Sequence, residues 1–165
     1  MKNVKNIVLL LVVLIAGVWG VWFFLGRGEE AKIRQRFLDA VGIVNKQAEE
    51  KNHTLAAKTL QFGYLFGDQV TVNIHHFPYN GTNDISEFTS LVFRGRAMCQ
   101  SIDLSILGLE IEINGDSAIA RCQARAKVSA MGTVYDEKHH FHASLQKVGR
   151  KWIFLSFEDD DVIKK

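Results

Sequence analysis

Proline is nearly missing from this 165-residue chain: Pro78 is the only one. That excludes collagen-like, proline-rich and stiff-linker architectures. Cysteine is almost as scarce. Cys99 and Cys122 are the full complement, too few for a disulfide framework or a four-cysteine zinc site. A strong excess of one charge is missing too, since 20 lysines and arginines face 18 aspartates and glutamates. The thirteen glycines form no phosphate-binding loop, and no internal repeat or low-complexity linker is present. What the chain does have is apolar material: 47% apolar residues and eleven phenylalanines, enough to fold around a real core.

The longest apolar run is Ile7–Leu25, 19 residues without a charge. As a helix rising 1.5 Å per residue it is about 28 Å long, the thickness of a bilayer's hydrocarbon layer. Trp19, Trp22, Phe23 and Phe24 crowd its C-terminal end, where aromatic rings favour the headgroup boundary. A cleaved secretory signal has a shorter apolar region followed by small residues, and Gly26-Arg27-Gly28 places an arginine there. The expectation is a short head (1–6), a single transmembrane helix (7–25) and one domain (28–165). Lys2, Lys5 and the terminal amine favour a cytoplasmic head, although Arg27, Lys32, Arg34 and Arg36 follow the run. The domain then faces outward, the periplasm if the cell membrane is a bacterial inner membrane. Without Lys2, Lys5 and Arg27 the domain has 17 basic against 18 acidic residues, which gives no footprint for nucleic acid.

Periodicity organises the rest. Ile33, Phe37, Val41, Val44 and Ala48 predict a helix from Glu29 to about Lys51, with Glu29 and Glu30 suited to its N-terminus. Thr54 caps a second predicted helix through Leu55, Leu60, Tyr64 and Leu65, ended by Gly67. Val70, Val72 and Ile74 then alternate as a strand, and residues 78–83 carry turn chemistry. Asp84 with Glu87 reads as a capping box for a third helix carrying Ile85, Phe88, Val92 and Cys99 as far as Gln100. The remainder predicts antiparallel strands. Leu109, Ile111 and Ile113 turn at Asn114-Gly115 into a strand with Ala118, Ala120, Cys122, Ala124, Ala126 and Val128 on one face. Val134 to Lys147 and Lys151 to Glu158 form the last hairpin, and Asp159-Asp160-Asp161 reads as a solvated tail. Helices followed by a strand meander make an α+β order.

The segments LFGDQVTVNIHHFPYNGTNDISEF, NGDSAIARCQARAKV and HASLQKVGRKWIFLSFE resemble the nuclear-transport-factor-2-like superfamily, which includes the SnoaL-like proteins. The likeness covers nearly all of residues 29–158. It implies a cone-shaped domain of about three helices packed on a curved, mostly antiparallel sheet, often hollow and often dimeric through the sheet. The ketosteroid-isomerase-like members place an aspartate in a threonine-valine-x-aspartate motif. Here Thr71-Val72-Asn73 is followed by Ile74, and the first helix lacks those members' tyrosine.

Candidate functional residues follow from strand parity. Cys122, Tyr135, Glu137, His139 and Phe141 share the core side of their strands and are candidate pocket residues. His140 and His142, two apart on a strand, point the same way and are candidate metal ligands, although no aspartate or cysteine completes a set. His75-His76 is a second histidine pair. Cys99 and Cys122 read as core thiols. The small inward row at Ala118–Ala126 leaves space that either phenylalanines or an apolar ligand fills. The expectation is a membrane-anchored binding domain for an apolar ligand or a protein partner, with no catalysis and no cofactor. A scaffold subunit of a bacterial envelope assembly is an alternative, since the chain resembles in plan the bitopic type IV secretion proteins of the VirB family. A SnoaL-like isomerase, cyclase or hydrolase is a third reading.

Overall fold

Apolar residues three and four apart put Ile33, Phe37 and Val44 on one stripe, and helix α1 (residues 28–44) runs along it in a computed structural model that describes residues 28–50, 52–74 and 79–159. The expected transmembrane run and His75-His76 lie outside the described residues. No helix among the described residues is long and apolar enough to cross a membrane. After α1 the chain folds as α2 (Asn52–Gly63), β1 (Phe66–Asn73), β2 (Gly81–Asp84), α3 (Ile85–Met98), β3 (Ser101–Asn114), β4 (Ser117–Ala130), β5 (Thr133–Val148) and β6 (Lys151–Asp159).

The six strands form one sheet in the order β2-β1-β6-β5-β4-β3. Every neighbouring pair is antiparallel except β1 with β6, which is parallel, so the sheet is mixed. The fold is α+β, three helices on a six-stranded sheet. One inward row crosses most of it: Ile111, Ala120, Ala143, Phe157 and Val72 are successive partners. Against such rows the helices bring aromatic rings. Phe37 meets Phe154 edge-on at 5.0 Å, and Phe62 lies within 5.0–6.0 Å of Phe66, Phe88 and Phe93. Each ring withdrawn from water contributes on the order of 1.5–3 kcal/mol.

The register shifts in three places, one of them between Phe66 and Thr71 where β1 runs beside β6, and the other two are single-residue bulges. On β3, Gly108 and Leu109 together oppose the single residue between Arg121 and Gln123, and Gly108 takes φ +60°. That left-handed turn costs a side-chain-bearing residue ~1–2 kcal/mol and glycine almost nothing. On β6, Leu155 is the extra residue between Phe154 and Ser156. Bulges bend a strand and increase its twist, which lets the sheet wrap the helices.

Several expected boundaries are corrected. Helix α1 stops at residue 44, not 51, because the next residues join the sheet: Lys46 bridges Ile102 and the Asn45 amide pairs with both backbone groups of Leu104. Ala48, expected on the helix stripe, is exposed in the following loop. Helix α2 starts before Thr54 and ends at Gly63, while Gly67 lies inside β1. Leu60 and Tyr64 are 68% and 74% exposed, and Phe62 and Leu65 take the core positions instead. Asp84 sits at the N-cap of α3 with extended backbone but makes no side-chain cap bond, so the capping box does not form. Residues 81–83 of the expected turn, together with Asp84, form the short strand β2. Asp159, read as solvated tail, is buried at the end of β6 opposite Phe141.

Candidate ligand cavity

Three helices resting on a bent sheet leave between them a partly open space of about 290 Å³. Phe37, Ala40, Val41 and Val44 line it from α1, with Phe62 from α2 and Phe88 and Val92 from α3. The sheet contributes Phe66, Val72, Leu104, Ile106, Phe141, Phe154 and Phe157, and Ile74 adds to the wall just beyond β1. None of these side chains has a polar atom. The volume is about twice that of the ~150 Å³ apolar cavity that holds benzene in an engineered protein. Rings wall much of it: Phe154 and Phe157 lie 5.1 Å apart and Phe141 stands 6.1 Å from Phe157.

The candidate pocket residues separate along β5. Phe141 lines the cavity. Cys122, its partner on β4, is buried in the core cluster beside it. Tyr135, Glu137 and His139 occupy the same face farther out, where β6 has ended, and they are exposed. His139 Nε2 lies 3.2 Å from the Glu137 carboxylate, so these two do meet, at the rim and outside the apolar space. His140 and His142 face the other side of the sheet. His140 hydrogen-bonds the Gln123 amide at 2.8 Å, and His142 lies 3.7 Å from the Glu158 carboxylate. No group of three metal-ligating side chains forms among the described residues. Cys99 and Cys122 are thiols, the Cys99 S–H donating to the Gly95 carbonyl at 3.3 Å.

A second concavity, about 630 Å³, opens between the α1–α2 loop and β3, and most of the residues around it carry polar groups. Its chemistry serves the fold. Arg96, 2% exposed, donates to the carbonyls of Val44 (3.1 Å) and Asn45 (2.9 Å) and to the Glu50 carboxylate. Lys46 returns the favour to α3 by donating to the carbonyls of Arg96 and Cys99 at 3.2 and 2.6 Å. Each helix C-terminus is thus capped by a cation from the opposing segment. Burial opposes the Glu50 charge, but hydrogen bonds from Lys58 and Arg96 and their charges outweigh it and hold its pKa below the usual value. At the other end of α1, Glu29 accepts from Lys32 (2.7 Å), the Trp152 indole (2.7 Å) and Lys147 (3.2 Å). These bonds, led by Lys32, outweigh desolvation and lower the Glu29 pKa to about 2.

Sequence reasoning missed Leu104, Ile106, Asp159 and the Glu50–Arg96 pair. For Leu104 and Ile106 a signal was present: Ile102, Leu104 and Ile106 alternate on even numbers and Leu109, Ile111 and Ile113 on odd ones, with Gly108 at the break.

The chain matches no family profile and no curated protein by sequence. Its fold is similar to that of many solved structures. The Kfla4162 protein from Kribbella flavida shares 12% identity at a TM-score of 0.68, covering 81% of this chain and 90% of that one. An NTF2-like protein with a cystatin-like fold from Novosphingobium aromaticivorans shares 13% identity at a TM-score of 0.60, covering 79% of each chain. A protein provisionally assigned as a scytalone dehydratase, from the same organism, shares 14% identity at a TM-score of 0.63, covering 81% and 83%. The fold is therefore the nuclear-transport-factor-2-like one. Identities this low carry architecture and leave activity to the site.

Proposed function

We propose that this protein is a membrane-anchored binding domain that holds a small apolar molecule in the cavity between its helices and its sheet. The observation that carries the reading is the 290 Å³ space lined only by apolar side chains. Water gains too few hydrogen bonds there to occupy it favourably, whereas an apolar molecule regains the dispersion contacts that the walls lack. The anchor rests on the hydropathy of residues 7–25, with the domain on the outer side of the membrane.

Thermal unfolding of the full chain with 2-methylnaphthalene tests the reading. A hundred-fold excess over Kd stabilises by about 2.7 kcal/mol, or about 8 °C for a domain of this size. Ala40→Phe, which fills the cavity from α1, abolishes the shift. Equal shifts in the two proteins place the probe elsewhere and refute the proposal.

A further inference from the structure

The cavity is walled by apolar side chains, and just outside that lining, paired with Phe141, a carboxylate is buried. Asp159 is 4% exposed. The strand register fixes which way it faces. On β6, Phe157 pairs with Ala143 and Asp159 with Phe141. Cross-strand partners project to the same face of a sheet. Phe141 and Phe157 both line the cavity, so the Asp159 carboxylate belongs to that same inner face, one position beyond Phe157. Here β6 ends, and the inner row continues on β4 and β5 as Ala124 and the exposed His139. The buried carboxylate thus follows the aromatic wall of the cavity on the same face of the sheet.

We infer that Asp159 is the polar anchor of the cavity and that the ligand is an amphiphile: an apolar body ending in one hydrogen-bond donor, an alcohol or an amine. This rests on the binding function proposed above and narrows its ligand class. An ionised carboxylate offers about four acceptor positions, so it takes a donor from a ligand alongside any it already accepts from the protein. A terminal donor buried against it forms a charge-assisted hydrogen bond, stronger than a neutral one. A ligand ending in a carboxylate or phosphate meets repulsion at the same place and is excluded.

Equilibrium dialysis of the full chain against two probes of nearly equal shape, 2-naphthol and 2-methylnaphthalene, reads the anchor directly. The cavity-filled Ala40→Phe variant sets the non-specific baseline. The expected result is that 2-naphthol binds wild type about ten-fold more tightly than 2-methylnaphthalene. Asp159→Leu removes that preference by weakening 2-naphthol alone, and Asp159→Asn, which keeps an acceptor without the charge, retains a smaller preference. Equal affinities for wild type refute the anchor without any variant having to fold, and so does a ten-fold preference that survives in Asp159→Leu. In both cases binding above the baseline leaves the cavity function standing. If neither probe exceeds the baseline, the cavity function fails and the anchor with it.

Discussion

The mutual capping of α1 and α3 makes the Glu50–Arg96 pair the most informative place to perturb the fold. Arg96 is almost fully buried, and its guanidinium satisfies two C-terminal carbonyls of α1 together with the Glu50 carboxylate. Arg96→Met keeps the length and apolar stem but removes all three bonds. Two orphaned carbonyls at about 1 kcal/mol each and the lost ion pair sum to about 3 kcal/mol. The cost stays near the lower end for a broken buried pair because Glu50 keeps Lys58 at 2.8 Å. Glu50→Gln is the harsher change: it leaves a deeply buried guanidinium without a counterion, and about 3–5 kcal/mol is expected. Urea unfolding followed by circular dichroism reads both as a lowered midpoint at unchanged slope. The double variant should cost at least 1 kcal/mol less than the two single costs added together, since each single change strands what the other removes. Strict additivity, or either single variant within 0.5 kcal/mol of wild type, refutes the capping argument.

Glu29 gives a pH-dependent prediction whose sign is fixed. Its pKa falls from 4.5 to about 2 on folding, so its contribution is complete above pH 4.5 and is lost as pH drops through 2. With the carboxylate partly open to solvent, about 2 kcal/mol is expected, seen as a difference in urea midpoint between wild type and Glu29→Gln that is present at pH 6 and closes by pH 2. Gly108→Ala meets open space, so its cost is the left-handed backbone alone, about 1–2 kcal/mol in the same assay. An unchanged midpoint there shows that the bulge relaxes freely.

Legibility in the sequence followed one rule: an element could be read wherever a single period governed it. The β4 strand alternates without a break from Ala118 to Val128, and its inner face is as the alternation predicts. The first half of β3 was hidden because the bulge at Gly108 reverses parity, so Ile102, Leu104 and Ile106 did not join the downstream alternation. The bulge at Leu155 has the same effect on β6. It shifts the inner face from Trp152 and Phe154 to Phe157 and Asp159, so the first aspartate of an acidic run that reads as a solvated tail turns inward. Helix ends were misplaced for a different reason. Nothing local stops α1 at Val44, where the helix yields to tertiary partners 52 to 59 residues away: Arg96 and Leu104.

Composition posed a question about the inner alanine row that only packing answers. Ala118, Ala120 and Cys122 leave room above the sheet, and that room is taken: all three are buried and none lines the cavity. The remaining space lies beside the row, bounded by Leu104 and Ile106 on β3 and by the phenylalanines. Filling and hollowness are therefore not alternatives. Phenylalanine rings pack against one another edge-on or tilted and have few rotamers with which to collapse into a gap. A core rich in such rings covers small inward residues completely and still leaves a space where the rings of α1, α2 and β6 fail to meet the aliphatic residues of β3. A void kept open in that way costs little reorganisation when an apolar molecule enters it.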